Sequence, residues 1–116
     1  MTLQSKGSQF SDLHAWINAN LSSDLSVSSL ADFMKMSERT FARKYSEINS
    51  FTPSKMVEQI RLEASRHMLV TSRTPLKTIA IQCGLGSEAT FIRSFVKNYA
   101  VTPGEYRARF RSNTGS

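Results

Sequence analysis

Cysteine occurs once in 116 residues, at Cys83, histidine twice, at His14 and His67, and proline only three times. A lone thiol excludes an internal disulfide, and its separation from both histidines fits no metal-ligand spacing, so no metal and no cofactor are expected. Cys83 reads as core packing. Three prolines and five glycines are too few for a β-sandwich built on frequent tight turns, and no segment alternates apolar and polar residues with period two. All-α is the expected fold class. There is no long apolar run to span a membrane, and the N-terminus lacks the charged-then-apolar layout of a signal peptide. A cytosolic location without membrane association is expected. No nucleophile and base are paired, and no glycine-rich phosphate loop is present, so the chain reads as a non-enzyme.

What is present is positive charge, and it is unevenly placed. Fifteen Lys and Arg against nine Asp and Glu give +6. Residues 1–58 carry six of each sign, whereas residues 59–116 carry nine basic and three acidic groups. The whole surplus lies in the second half, which suggests a polyanion-facing surface.

The chain also repeats itself. Met36 to Met56, "MSERTFARKYSEINSFTPSKM", aligns with Gly86 to Tyr106, "GSEATFIRSFVKNYAVTPGEY", at a constant offset of 50. Ser37/Ser87, Glu38/Glu88, Thr40/Thr90, Phe41/Phe91, Arg43/Arg93, Thr52/Thr102 and Pro53/Pro103 are identical, and Tyr45/Phe95 is an aromatic match. Upstream, "LADFMKMS" and "IAIQCGLGS" correspond with one extra residue in the second copy, where a turn is expected. One supersecondary unit is used twice.

Each copy reads as a helix pair. Ser26 caps a helix over about 27–35, and Ser37 caps a second over about 38–48. In the second copy Thr74 is the expected cap, with Pro75 at the first helical position, Gly84 past the end, and Ser87 capping a helix to about Tyr99. Ala31 and Ala80 are small enough for close crossing, giving two helix-turn-helix layouts. Ser11 is the expected cap of a support helix, with Leu13, Trp16, Ile17 and Leu21 on one face and Phe10 as a staple. Thr52 with Pro53 opens a long linker helix, and Thr102 with Pro103 a short closing helix, "PGEYRARF". The expectation is seven helices: a disordered segment over 1–10, a first subdomain over 11–52, the linker helix over 53–70, a second subdomain over 71–111 and a disordered tail over 112–116.

If Phe41, Tyr45 and Ile48 face inward, 100° per residue turns Arg39, Ala42, Arg43 and Ser46 outward; likewise Phe91, Phe95 and Tyr99 inward leave Ala89, Ile92, Arg93 and Val96 outward. Arg43 and Arg93 then occupy equivalent exposed places. An arginine on the second helix of such a pair can enter a major groove and pair with guanine O6 and N7, while Ala42, Ala89 or Ile92 can touch a thymine methyl. Taken singly, each arginine is better explained as a solvated or ion-paired surface group, since Glu38 and Glu88 can pair with basic residues of their own helices; the repeat is what favours base reading. Phosphate contacts are expected from helix starts and flanking cations: Ser26, Val27, Ser28, Ser37, Thr78 and Ser87, with Lys77, Lys97 and Arg107. Lys55, Arg61, Arg66, Arg73, Arg109 and Arg111 read as solubilising charge.

These residues resemble the DNA-binding domain of the AraC family of bacterial transcription regulators. The resemblance covers about residues 12–111 and rests on "LSVSSLADFMKMSERTFARKY", "IRLEASRHML" and "CGLGSEATFIRSFVKNYAVTPGEYR". It implies seven helices, two helix-turn-helix subdomains and a linker helix. It also implies base-reading roles for Arg39, Ala42 and Arg43, and for Glu88, Ala89, Thr90, Ile92 and Arg93. Ala42 departs from the polar residue often found there. "MSERTFARKY" and "GLGSEATFIRSF" are most similar to the branch whose N-terminal domain resembles class I glutamine amidotransferases, so the effector or oligomerisation domain is expected outside this chain. The implied partners are double-stranded DNA and RNA polymerase. The alternative is a helical module that docks polymerase or a regulatory domain with only non-specific DNA contact. Two recognition helices on one chain predict an asymmetric or direct-repeat site of two successive major-groove segments, roughly 34 Å apart. A linker helix of roughly 27 Å then suggests that the DNA bends or that one helix inserts less deeply.

Overall fold

The computed structural model describes residues 10–115, with side chains to Phe110. Among the described residues there are seven helices and no strand: α1 Ser11–Ala19, α2 Val27–Met34, α3 Glu38–Asn49, α4 Pro53–Thr71, α5 Leu76–Gln82, α6 Glu88–Tyr99 and α7 Pro103–Gly115. No described helix is long and apolar enough to cross a membrane. The chain divides into two compact units at Ile60/Arg61, inside α4.

In the first unit Phe10, Leu13, Ile17, Leu25, Leu30, Ala31, Phe41, Tyr45, Met56 and Val57 form the core. An aromatic cluster sits at its centre, with Phe10 against Tyr45 at 4.8 Å and against Phe41 at 6.1 Å between ring centroids. That packing corrects two expectations. Phe10 belongs to the core rather than to a disordered segment, and it, not Ser11, is the N-cap of α1, with no side-chain cap bond. Burial of a large ring fixes the entry of the helix more strongly than a serine cap, whose contribution is about 1 kcal/mol. The rest of the expected disordered segment, residues 1–9, lies outside the described residues.

In the second unit Leu62, Leu69, Ile79, Ala80, Cys83, Leu85, Phe91 and Phe95 form the core. Cys83 is buried, its sulfur 3.7 Å from that of Met68, and burial pushes its thiol pKa up. The expected cap Thr74 is not one. Pro75 is still extended at ψ 151 and is itself the N-cap of α5, which starts at Leu76. The Thr74 hydroxyl accepts from the Ser72 hydroxyl and its carbonyl from the Arg107 guanidinium instead. α7 spans Pro103–Gly115, longer than the short closing helix expected over "PGEYRARF". A helix already nucleated gains one bond per residue added, and its polar composition alone does not stop it.

The remaining caps follow the sequence. Ser26 accepts from the Ser29 amide at 3.3 Å, Ser37 from Thr40 at 3.1 Å and Ser87 from Thr90 at 3.1 Å. Thr52 accepts from the Lys55 amide at 3.1 Å. Thr102 and Glu105 form a reciprocal capping box, with bonds of 3.0 and 2.8 Å.

Candidate nucleic-acid interface

The turns between the paired helices are built alike. In the first, Lys35 takes the left-handed conformation at φ 59 and the Met36 amide donates to the Ala31 carbonyl at 2.9 Å. In the second, Gly84 does so at φ 72 and the Leu85 amide donates to Ala80 at 2.7 Å. The extra residue of the second copy is Gly86, at φ 85, where a side chain would be strained. Each turn thus presents a serine-capped second helix, α3 or α6, at whose start unpaired amides and the helix dipole favour anions.

On α3, Phe41 and Tyr45 are fully buried, whereas Arg39 and Arg43 are exposed and Ala42 is partly so. The Arg43 guanidinium lies 3.6 Å from Glu47, both side chains more than half exposed. Such a pair contributes little and is easily exchanged for a stronger acceptor. The acid that pairs with Arg43 is Glu47, one turn on, not Glu38. On α6, Phe91 and Phe95 are buried, Glu88, Ala89 and Arg93 are exposed, and Thr90 and Ile92 are half-buried. Arg93 Nη2 donates to Thr90 Oγ1 at 3.4 Å, and the Ser87 hydroxyl to the same oxygen at 3.1 Å. Ser87, Thr90 and Arg93 form one polar string along the exposed face. All eight residues expected to read bases therefore have surface access.

The expected phosphate contacts divide. Ser37, Ser87, Lys77 and Lys97 are exposed, and Thr78 is half-buried. Ser28 is exposed, but Val27 packs against the core and could offer only its amide. At Ser26 the site is already occupied by an anion: the Asp24 carboxylate accepts from its amide at 3.0 Å and from the Ser29 hydroxyl at 3.1 Å. A carboxylate there repels phosphate. Arg107 is a second departure, since its guanidinium donates to the carbonyls of Leu69, Ser72 and Thr74.

Other contacts were not legible in the sequence. His14 and Tyr45 share a hydrogen bond of 2.9 Å between α1 and α3. Burial lowers the His14 pKa below 6.5 and pushes Tyr45 up to about 12. Arg66 lies over the rings of Tyr99 at 5.1 Å and Tyr106 at 5.8 Å and pairs with Glu63 at 3.5 Å, so it packs rather than merely solubilises. Trp16 stacks on the exposed ring of Phe33 at 5.0 Å, beside Asp24 and Asp32. Among the described residues no group of acids, histidines and cysteine could hold a metal ion.

Comparison with known proteins agrees with this geometry. A family model described as a helix-turn-helix domain matches residues 30–109. The RCS-specific helix-turn-helix-type transcriptional activator RclR of Escherichia coli K12 is 34% identical over 98 residues, covering 84% of this chain and 31% of its own length. A helix-turn-helix regulator of Mycobacterium tuberculosis, Rv1931c, is 36% identical over 84 residues, covering 72% of this chain and 32% of its own. This chain thus spans about a third of the length of those relatives. Among solved structures, the DNA-binding domain of AdpA in complex with a target DNA superposes with a TM-score of 0.83 at 26% identity, covering 90% of this chain and 95% of that one. An AraC-type regulator from Chromobacterium violaceum shares the fold, with a TM-score of 0.83 at 24% identity over 90% of this chain and 94% of its own. With two capped helix-turn-helix units, seven helices and these relatives, the chain belongs to the AraC-type helix-turn-helix family.

Proposed function

We propose that this chain is the part of a transcription regulator that binds double-stranded DNA sequence-specifically, with α3 and α6 reading two adjacent major-groove segments. The observation that carries the reading is the duplicated placement of Arg43 and Arg93, at equivalent exposed points of two serine-capped helices. Arg39, Ala42 and Arg43 read one segment; Glu88, Ala89, Thr90, Ile92 and Arg93 read the other. Ser37, Ser87, Lys77, Thr78 and Lys97 hold phosphates, a role that Asp24 weakens at Ser26 and that leaves Ser28 and the Val27 amide as lesser contributors. The AdpA domain was solved on a target DNA, which supports the same use here. Relatives about three times as long support an effector or oligomerisation domain elsewhere in the intact protein, of the amidotransferase-like kind that the sequence suggests.

The test is a binding titration on a preferred duplex and on random duplex. A bidentate arginine contributes about 1–3 kcal/mol of base discrimination. Arg93→Ala should therefore lose affinity on the preferred site and change little on random DNA. Lys97→Ala should weaken both alike and flatten the salt dependence. Equal losses on both duplexes for Arg93→Ala would defeat the base-reading assignment.

One observation favours a second, additional role. The stacked Trp16 and Phe33 rings lie beside Asp24 and Asp32, a surface that repels phosphate and that suits a basic patch on a protein partner, for which RNA polymerase is the candidate. Phe33→Ser should leave DNA affinity unchanged and lower transcription activation in a reconstituted assay; unchanged activation would remove this role.

A further inference from the structure

Arg107 carries a positive charge in the basic half of the chain, and composition alone puts it on the phosphate backbone. Its geometry puts it elsewhere. Nε donates to the Leu69 carbonyl at 3.0 Å, and Nη2 donates to the carbonyls of Ser72 at 3.2 Å and Thr74 at 2.7 Å. Leu69 lies in the last turn of α4, where carbonyls lack helical partners and a cation is favourable. Ser72 and Thr74 lie in the short connection from α4 to α5.

That connection needs outside support. Pro75 has no N–H to give, and the local bonds centre on Ser72: its amide and hydroxyl donate to Met68 O at 3.1 and 2.8 Å, its hydroxyl also reaches Thr74 Oγ1 at 2.9 Å, and the Thr74 amide donates to Ser72 Oγ at 3.3 Å, which leaves the Ser72 and Thr74 carbonyls to Arg107. Arg107 supplies three further bonds from one planar group. The helix that follows, α5, carries Lys77 and Thr78 and forms the first half of the second helix-turn-helix.

We propose that Arg107 is a positioning residue for the DNA interface of the second unit: it fixes the exit of α4 and the entry of α5 through three backbone carbonyls and does not itself contact phosphate. The proposal rests on the DNA-binding reading. At least three of the five guanidinium donors are committed. A lysine at this place would keep the charge and lose the fork, because one ammonium cannot span carbonyls from residues 69, 72 and 74 in that planar arrangement. Charge and geometry are therefore separable by one substitution.

The test uses the full chain with Arg107→Lys, Arg107→Ala and the milder Arg107→Gln, and Lys97→Ala as the phosphate-contact control. Amide hydrogen exchange over residues 72–79 is measured beside affinity for a random-sequence 30-bp duplex across a salt series. Unchanged exchange at Phe91 to Phe95 of α6, in the core of the same unit, verifies folding of each variant. All three Arg107 variants should speed exchange over 72–79, about tenfold for the alanine and lysine forms, the equivalent of one net hydrogen bond. Arg107→Lys should lose the same several-fold affinity as Arg107→Ala, with the wild-type salt slope retained. Lys97→Ala should instead reduce that slope by about 0.9. Wild-type affinity in Arg107→Lys together with a reduced slope in Arg107→Ala would make Arg107 a phosphate contact and overturn the proposal. Unchanged exchange over 72–79 would overturn it too. Failure of the unmutated chain to bind duplex would sink the DNA-binding reading and the interface role with it, while the exchange result would still stand for the clamp.

Discussion

His14 shows how one side chain couples a support helix to a recognition helix. Its ring reaches the Tyr45 hydroxyl at 2.9 Å, and Tyr45 sits at the centre of the first core. Burial lowers the His14 pKa below 6.5. The folded state therefore favours the neutral ring, and the unfolded chain binds the proton more readily. The contribution is fully present above pH 6.5 and is lost as pH falls through the lower folded value. Denaturant unfolding at pH 7.5 and pH 5 should show a decline in stability for the native sequence that is smaller in His14→Gln. An equal decline in both would show that His14 is not the group titrating. Glu105, held low first by the Thr102 backbone amide, acts in the same direction but only below 4.5, so the two windows are separable.

At the scale of the element, the duplicated chain repeats its backbone as well as its letters. Lys35 and Gly84 end the first helix of each pair in the left-handed conformation; Ser50 and Ala100 end the second at φ 64 and 65. A β-carbon in that conformation costs roughly 1–2 kcal/mol. Gly84→Ala should therefore destabilise the chain by about 1–2 kcal/mol, and Ala100→Gly should stabilise it by up to about 1 kcal/mol. Chemical denaturation checks both; a stability gain from Gly84→Ala would contradict the turn geometry. The elements most legible in the sequence are those whose cause is local. Ser26, Ser37, Ser87, Thr52 and Thr102 cap as expected because each bonds an amide three residues on. Ser11 and Thr74 looked the same in sequence and are not caps, because packing of Phe10 and the carbonyl network around Arg107 decide those ends. The Arg107 partners lie 33 to 38 residues away, a distance at which spacing carries no signal. The Arg43 and Arg93 faces were legible because buried Phe41/Tyr45 and Phe91/Phe95 pairs fix the helix rotation.

For the whole molecule, the question is why a chain of 116 residues contains one helix pair twice. Each unit has its own core, so the duplication is not needed to complete a single hydrophobic interior. The exposed faces differ: "ERTFARK" is strongly cationic, whereas "EATFIRS" surrounds one arginine with small and apolar groups. Two such faces suit two different half-sites on one duplex, without the two-fold symmetry that a dimer imposes. Selection of bound sequences from a random duplex pool measures this directly. The account predicts enrichment of a non-palindromic motif of two unlike boxes, their centres about 10–10.5 bp apart, with Arg43→Ala and Arg93→Ala each relaxing a different box. A single box, or the same box relaxed by both substitutions, would contradict reading by two helices; no enrichment at all would contradict sequence-specific binding.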